Sequence, residues 1–170
     1  MKLLASDFDN TLWFNVHSGA QAKKENAATH LNGLDKSYER HIKEFQKHGN
    51  LFGVCTGRCL HGIVNPSQPY NLEHDFYILL SGALVLNKDK EVIFEKQIPL
   101  SLVKEIYNFL NQKDASIVYK DVMYKVYKTK KPDYHGVYIE SIDELKTETV
   151  SAFSFHYELD ELEEATIATD

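Results

Sequence analysis

Three short apolar runs, each ending in a polar turn, constrain the fold of this chain more than any other feature. The runs occupy residues 2–8, 51–55 and 76–80, and the turns read D-F-D-N-T at 7–11, T-G-R at 56–58 and S-G at 81–82. Apolar strands separated by helical patterns are typical of parallel sheets with crossover helices. The sequence therefore predicts an α/β fold built on a parallel sheet, with all three strands buried.

A helix is predicted between the first two runs. Tyr38, Ile42 and Phe45 share one helical face, Asp35 fits the N-cap position and Gly49 the helix stop.

The pattern changes character after residue 83. Residues 84–94 predict a β-hairpin that turns at 87–90, and Pro99 opens a helix that extends to residue 110. Strands at 116–119, 123–127 and 150–157 and a helix at 160–168 follow. We therefore expect two parts: a parallel-sheet core in residues 1–83, and the hairpin with an α+β unit in residues 84–170.

Composition excludes several functional classes. The 170 residues carry a formal net charge of −6 and two cysteines. An acidic chain without an Arg/Lys-rich face disfavours nucleic-acid binding and binding to anionic lipid. No run approaches the length of a membrane helix, and Asp7 interrupts the first apolar run too early for a signal peptide. We expect a cytoplasmic protein with no disulfide framework.

The first polar turn carries the strongest chemical signal. Asp7 and Asp9 follow a strand directly, and ligands of open α/β sheets bind beyond the carboxyl ends of strands. Two carboxylates in one site are costly unless a cation or proton compensates, and Mg²⁺ uses one or two carboxylates plus phosphate oxygens. One acid can then attack phosphorus while the other transfers protons. A polar turn without function is the alternative.

The second turn suits a phosphoryl oxygen. Thr56 offers a hydroxyl at a strand end, and Gly57 allows close approach to backbone N–H groups. A simple strand-to-helix turn is the alternative.

Together these motifs resemble those of the haloacid dehalogenase superfamily of phosphatases, most closely its Cof-type branch, subfamily IIB. The run at 7–11 is similar to the family's D-x-D-x-T motif, and C-T-G-R at 55–58 is similar to its second motif. The run L-S-G-A-L-V at 80–85 resembles the branch's N-G-A segment, with Ser81 where Asn is usual. The resemblance implies a Rossmann-like core with an inserted α+β cap.

The resemblance also implies residue roles. Asp7 would be the nucleophile and a Mg²⁺ ligand, and Asp9 the general acid/base whose backbone carbonyl also binds Mg²⁺. The backbone at Asn10, the Thr56 hydroxyl and the Gly57 backbone would hold the phosphoryl group. Contacts with substrate are expected from a further set: Arg58, Ser81 and Gly82.

The family's third-motif Lys and fourth-motif acidic pair match no residue here. The resemblance implies that residue 170 lies within the cap and that a C-terminal core segment is absent, which would leave an open apolar sheet edge. We expect a Mg²⁺-dependent phosphomonoester hydrolase acting on a small phosphorylated metabolite, such as a sugar phosphate, through an aspartyl-phosphate. The alternative is a non-catalytic protein of this fold that binds a phosphorylated ligand or a partner.

Overall fold

The computed structural model describes residues 1–9, 11–14, 33–34, 36–64, 72–128 and 136–155. The chain forms two compact units, Met1–Glu95 and Lys96–Asp170. The predicted helix at 160–168 lies outside the described residues, as does Asp35.

The first unit is built on a five-stranded sheet in the order β1-β4-β5-β6-β7. β1 pairs in parallel with β4, and β4 in parallel with β5, whereas β6 and β7 continue the sheet as an antiparallel hairpin. The elements of this unit are β1 (Leu3–Ser6), β2 (Trp13–Phe14), β3 (Gly33–Leu34), α1 (Lys36–Lys47), β4 (Leu51–Cys55), β5 (Phe76–Leu79), β6 (Leu84–Asn87) and β7 (Val92–Glu95), with single 3₁₀ turns at Leu60–Gly62 and Leu80–Gly82. The predicted α/β class with parallel strands is confirmed.

The prediction that the first strand is buried is wrong. β1 forms one edge of the sheet, and 64% of the Leu3 side chain and 44% of the Leu4 side chain are exposed. An apolar run predicts a strand but carries no signal for its place in the sheet, and a strand becomes buried only where both faces of the sheet are covered. Among the described strands, β4 is the one that pairs with β1.

α1 confirms the predicted helix and attaches to the sheet through polar contacts. Ile42 is buried, and Gly49 ends the helix with a φ of 73°. The Gln46 side-chain amide donates to the Asp75 carboxylate at 2.9 Å, and the same carboxylate oxygen accepts the backbone N–H of Phe52 at 2.9 Å. One acid therefore joins α1, β4 and the residue before β5.

The hairpin belongs to the first unit in the structure. Each residue of β6 pairs with β5, so the division between the units falls after Glu95 and not at residue 83, where the sequence pattern changes. The physical reason is that the sequence change reports a switch from parallel to antiparallel pairing within one sheet.

In the described part of the second unit, one helix packs on a four-stranded sheet in the order β11-β10-β9-β13. A buried apolar cluster joins Leu100 and Val103 of the helix to Ile117 and Val126 of the sheet. The elements of this unit are β8 (Ile98–Pro99), α2 (Leu100–Phe109), β9 (Ala115–Tyr119), β10 (Val122–Val126), β11 (Val137–Tyr138), a 3₁₀ turn at Ile142–Glu144, β12 (Thr149–Val150) and β13 (Ala152–Phe155). In the part of the chain that the structure describes, no helix is long and apolar enough to cross a membrane.

The strand predicted at 150–157 is two short strands in different sheets. β12 pairs with β8, whereas β13 pairs with β9. Ser151 separates them and donates its N–H to the carbonyl of Val118 at 2.8 Å. This bond between distant residues sets the break, so no local pattern could have predicted it.

Candidate active site

The first predicted motif forms a tight turn at the carboxyl end of β1. The carbonyl of Phe8 accepts the N–H groups of Thr11, Leu12 and Trp13 at 3.4, 3.0 and 2.8 Å. The chain therefore leaves strand geometry directly after Asp7, as two acids facing one site require. Asp7 is exposed, and Asp9 is half-buried.

Two aromatic rings anchor this turn. Phe8 is 1% exposed and Trp13 is 5% exposed, and their ring planes differ by only 3° with centroids 6.2 Å apart. Burial of two rings contributes several kcal/mol of hydrophobic free energy, roughly 25 cal/mol per Å². The acids on either side of Phe8 are thus held at the surface by a residue packed in the core.

A hydroxyl group orients the carboxylate of Asp7. Thr11 donates its Oγ1 proton to Asp7 Oδ2 at 3.1 Å. This role was not assigned from the sequence, although the i, i+4 spacing within D-F-D-N-T could have indicated it. Because Oδ2 accepts this bond, Oδ1 is the Asp7 oxygen better placed to react with a substrate.

The second predicted motif places its threonine at the end of β4. Thr56 is 6% exposed, and its backbone N–H donates to the carbonyl of Ile78 in β5 at 2.9 Å. Its Oγ1 accepts the N–H of Arg58 at 3.2 Å, which closes a local turn around Gly57. The hydroxyl proton remains available as a donor to a ligand oxygen.

The third predicted segment forms a strained turn beside Gly57. Leu80, Ser81 and Gly82 have φ values of 51°, 56° and 95°, and left-handed backbone is unfavourable for residues other than glycine. Ser81 donates its N–H to the carbonyl of Thr56 at 3.1 Å. A Cβ at position 57 would lie 3.5 Å from the Ser81 hydroxyl oxygen. The structure therefore brings the second and third segments together.

Arg58 joins the second motif to the first. Its Nε donates to Asp9 Oδ2 at 2.8 Å, and its Nη2 donates to Asp9 Oδ1 at 2.5 Å. The remaining Nη1 donates to the carbonyl of Gly62 at 2.7 Å, and the guanidinium lies 5.1 Å from the centroid of the Phe8 ring. Such a two-pronged pair is directional as well as charged. Arg58 was expected to contact substrate, but in this arrangement it binds the predicted acid/base.

These contacts limit which groups fit a divalent cation. Among the described residues no group of three or more His, Cys, Asp or Glu side chains could hold a metal ion. Asp7 fits, because Mg²⁺ commonly takes one or two carboxylates and completes its shell with water and phosphate. Both carboxylate oxygens of Asp9 are bonded to Arg58, which leaves its backbone carbonyl as the atom that the resemblance assigns to the metal. Asn10 lies outside the described residues.

The predicted site residues therefore make two sets of contacts: the first motif contacts the second, and the second motif contacts the third segment. Asp9 contacts Arg58 directly, and Thr56 and Gly57 lie against Ser81. Within the described part of the chain, no hydrogen bond joins Asp7 to the second motif. The fold and these residues define a class: an α/β protein whose acidic loop and threonine turn follow neighbouring parallel strands.

A family comparison gives the particular group within that class. The model of the haloacid dehalogenase-like hydrolases matches residues 4–168, so the chain belongs to this family, as its motifs predicted. A protein of Mycoplasma capricolum is 32% identical over 110 residues, which are 64% of this chain and 37% of that protein.

Solved structures show the same fold at low sequence identity. A haloacid dehalogenase-like hydrolase from B. subtilis has a TM-score of 0.74 at 16% identity, covering 99% of this chain and 66% of that one. The subclass IIB sugar phosphatase BT4131 has a TM-score of 0.66 at 17% identity, covering 98% of this chain and 63% of that one. The chain thus spans about two thirds of the length of these structures and 37% of the Mycoplasma capricolum protein.

Proposed function

We propose that this chain carries the nucleophile loop of a Mg²⁺-dependent phosphomonoester hydrolase that acts on a small phosphorylated metabolite. The observation that carries the proposal is the Asp7 carboxylate, exposed at the carboxyl end of a parallel strand and oriented by Thr11. Family membership supports a hydrolase, and the subclass IIB sugar phosphatase among the similar structures favours a sugar phosphate.

In the first chemical step, Oδ1 of Asp7 attacks phosphorus and the bond from phosphorus to the leaving oxygen breaks. Asp9, in its protonated form, gives its proton to that oxygen, so a neutral alcohol departs and an aspartyl-phosphate remains. In the second step, the Asp9 carboxylate takes a proton from water, which attacks phosphorus and releases Asp7 and inorganic phosphate.

Several groups would neutralise the charge of the transferring phosphoryl group. Catalysis of this reaction is mostly positioning and charge stabilisation. The Thr56 hydroxyl and the backbone N–H of Gly57 would donate to its oxygens. Magnesium, held by Asp7, would supply the remaining positive charge.

The ion pair with Arg58 sets a condition on this mechanism. A carboxylate that accepts two bonds from a guanidinium cannot deliver a proton from the same oxygens. Asp9 must therefore turn away from Arg58 before it acts, and we expect substrate binding to accompany that rotation.

The proposal is tested by hydrolysis of an aryl phosphate by the chain with Mg²⁺. Asp7→Asn removes the nucleophile and is expected to lower kcat by at least about a thousandfold, about 4 kcal/mol. Asp89→Asn, in the exposed turn of the hairpin, is the matched control and should retain activity. Mass spectrometry of the acid-quenched enzyme should find one added phosphoryl group in the unchanged protein and none in Asp7→Asn. Retained turnover in Asp7→Asn refutes the nucleophile assignment.

A second function is favoured by a specific observation, the engagement of both Asp9 oxygens by Arg58. With its acid/base bound in this way, the chain would hold a phosphorylated ligand without turning it over. Inorganic phosphate should then raise the melting temperature in proportion to ln(1 + [L]/Kd) while no aryl phosphate is hydrolysed. Measurable turnover that Asp7→Asn abolishes would exclude this alternative.

A further inference from the structure

The Arg58 side chain is anchored at two places besides its ion pair with Asp9. Its Nη1 donates to the carbonyl of Gly62 at 2.7 Å, and its guanidinium lies 5.1 Å from the centroid of the Phe8 ring. The aliphatic stem lies against the backbone of Gly62, where a Cβ would be 3.5 Å from Arg58 Cβ and 3.6 Å from Arg58 Cδ. These contacts hold the guanidinium in place independently of its two bonds to Asp9.

The Asp9 carboxylate is the more mobile partner of this pair. Its side chain is 45% exposed, against 32% for Arg58. Within the described part of the chain, its carboxylate oxygens accept hydrogen bonds from Arg58 alone. An ion pair with this much exposure is weak, since water competes for both groups. When the pair opens, we therefore expect the carboxylate to move while the guanidinium stays.

The guanidinium belongs to the turn that would hold the phosphoryl group. Arg58 follows Thr56 and Gly57 directly, its N–H donates to Thr56 Oγ1 at 3.2 Å, and its carbonyl accepts the N–H of Leu80 at 3.1 Å. The fork formed by Nε and Nη2 fits two oxygens of a phosphoryl group as well as those of a carboxylate. The same two donors can bind either anion, but not both at once.

We propose that the phosphoryl group of the substrate replaces Asp9 on Arg58. Two phosphoryl oxygens accept the bonds from Nε and Nη2, and the released Asp9 carboxylate can then exchange a proton with the leaving oxygen or with water. The inference rests on the proposed function, because it assigns what opens the ion pair in that site. Binding of a phosphoryl group and release of the acid/base become one event, so Asp9 acts only when a substrate is in place.

The test measures the affinity for inorganic phosphate, which requires no turnover, by calorimetric titration with Mg²⁺ at constant ionic strength. In the unchanged protein, phosphate must displace Asp9 from Arg58. Asp9→Asn removes the competing charge and should tighten phosphate binding roughly fivefold, the strength of a partly exposed ion pair. Arg58→Met removes the two donors and should weaken it roughly tenfold. Unchanged affinity in Arg58→Met overturns the proposal.

The double variant separates exchange from general charge repulsion. If Asp9 merely repelled phosphate, Asp9→Asn would tighten binding equally with and without Arg58. Exchange predicts tightening only where Arg58 is present, so the double variant should bind phosphate within about twofold of Arg58→Met alone. Equal tightening in both backgrounds overturns the proposal.

Two further variants complete the experiment. Lys43→Met removes an exposed lysine that pairs with Glu39 on α1, and as the matched control it should bind phosphate normally. Arg58→Lys covers the case in which Arg58→Met does not fold. It keeps the charge but loses the fork, so phosphate should bind severalfold more weakly, and unchanged affinity would overturn the exchange.

The Nε–Hε resonance of Arg58 locates the bound phosphate. It should shift saturably as phosphate is added, and a resonance that does not respond overturns the proposal. Failure of the two proposals is distinguishable. Coupling between positions 9 and 58 without hydrolysis of aryl phosphate would refute the phosphatase and leave the exchange standing, whereas turnover without this coupling would refute the exchange alone.

Discussion

Burial of His74 predicts a steep loss of stability in mild acid. The imidazole is 5% exposed and packs against the rings of Phe52 and Tyr77, at centroid distances of 5.6 and 5.0 Å. Burial lowers the pKa of His74 from 6.5 to about 4, against a smaller opposing effect of the Asp75 charge. The folded protein therefore holds this ring in its neutral form at pH values where the unfolded chain protonates it.

The sign and size follow from proton linkage. Below pH 6.5 the unfolded chain gains a proton that the folded state takes up only near pH 4, so the free energy of unfolding falls as the pH falls between these values. A difference of about 2.5 between the two pKa values corresponds to about 3 kcal/mol when fully developed. Of this, about 2 kcal/mol is lost between roughly pH 7 and pH 5.

The assay is urea denaturation at both pH values, with His74→Phe as the test variant. Phenylalanine fills the ring site without titrating, so the pH dependence of the variant should be smaller than that of the unchanged protein by about 2 kcal/mol. His48→Gln, at an exposed position near the end of α1, is the control and should keep the full dependence. Equal pH dependence in His74→Phe and the unchanged protein would refute the reasoning, as would an imidazole titration near 6.5 by NMR.

Three further substitutions test packing and the link between the motifs. Gly53→Ala should destabilise the first unit by roughly 2–3 kcal/mol in urea denaturation, because a methyl group there would lie 2.6 Å from Cε2 of Phe76 and closer still to its carbonyl oxygen; full stability would contradict the packing of β4 on β5. Val103→Ala should destabilise the second unit by about 2 kcal/mol, since this fully buried side chain joins α2 to the sheet; a loss below about 0.5 kcal/mol would show that the site tolerates a cavity. Arg58→Gln should cost about 1 kcal/mol, and less in high salt, because it removes both bonds to the partly exposed Asp9; a salt-independent loss would refute the electrostatic account.

Local chemistry made the acidic turn predictable. Asp7 and Asp9 follow an apolar run directly, and their separation of two residues places both at the end of the predicted strand. The hairpin at 84–94 was equally visible, because its turn residues separate two apolar segments. The sequence did not show that the hairpin joins the parallel sheet, because that pairing depends on strands elsewhere in the chain.

Contacts between distant residues account for what the sequence could not predict. Arg58 and Asp9 are 49 positions apart, and nothing in either motif indicates that they pair. The pairing of Lys125 with Ser116 and Tyr138 depends on the register of neighbouring strands, which a lysine within an alternating strand does not reveal. β2 and β3 have two residues each and are too short to produce a periodic pattern.

The position of β1 has a consequence for the precision of the candidate nucleophile. Of the described strands only β4 pairs with β1, so the strand that carries Asp7 at its end is hydrogen-bonded along one side. Amide groups of Leu3 to Ser6 that point away from β4 should exchange with deuterium faster than those bonded to it. A molecule that paired with the edge of β1 that faces away from β4 would reduce the motion of the strand that carries Asp7, without contacting Asp7 itself.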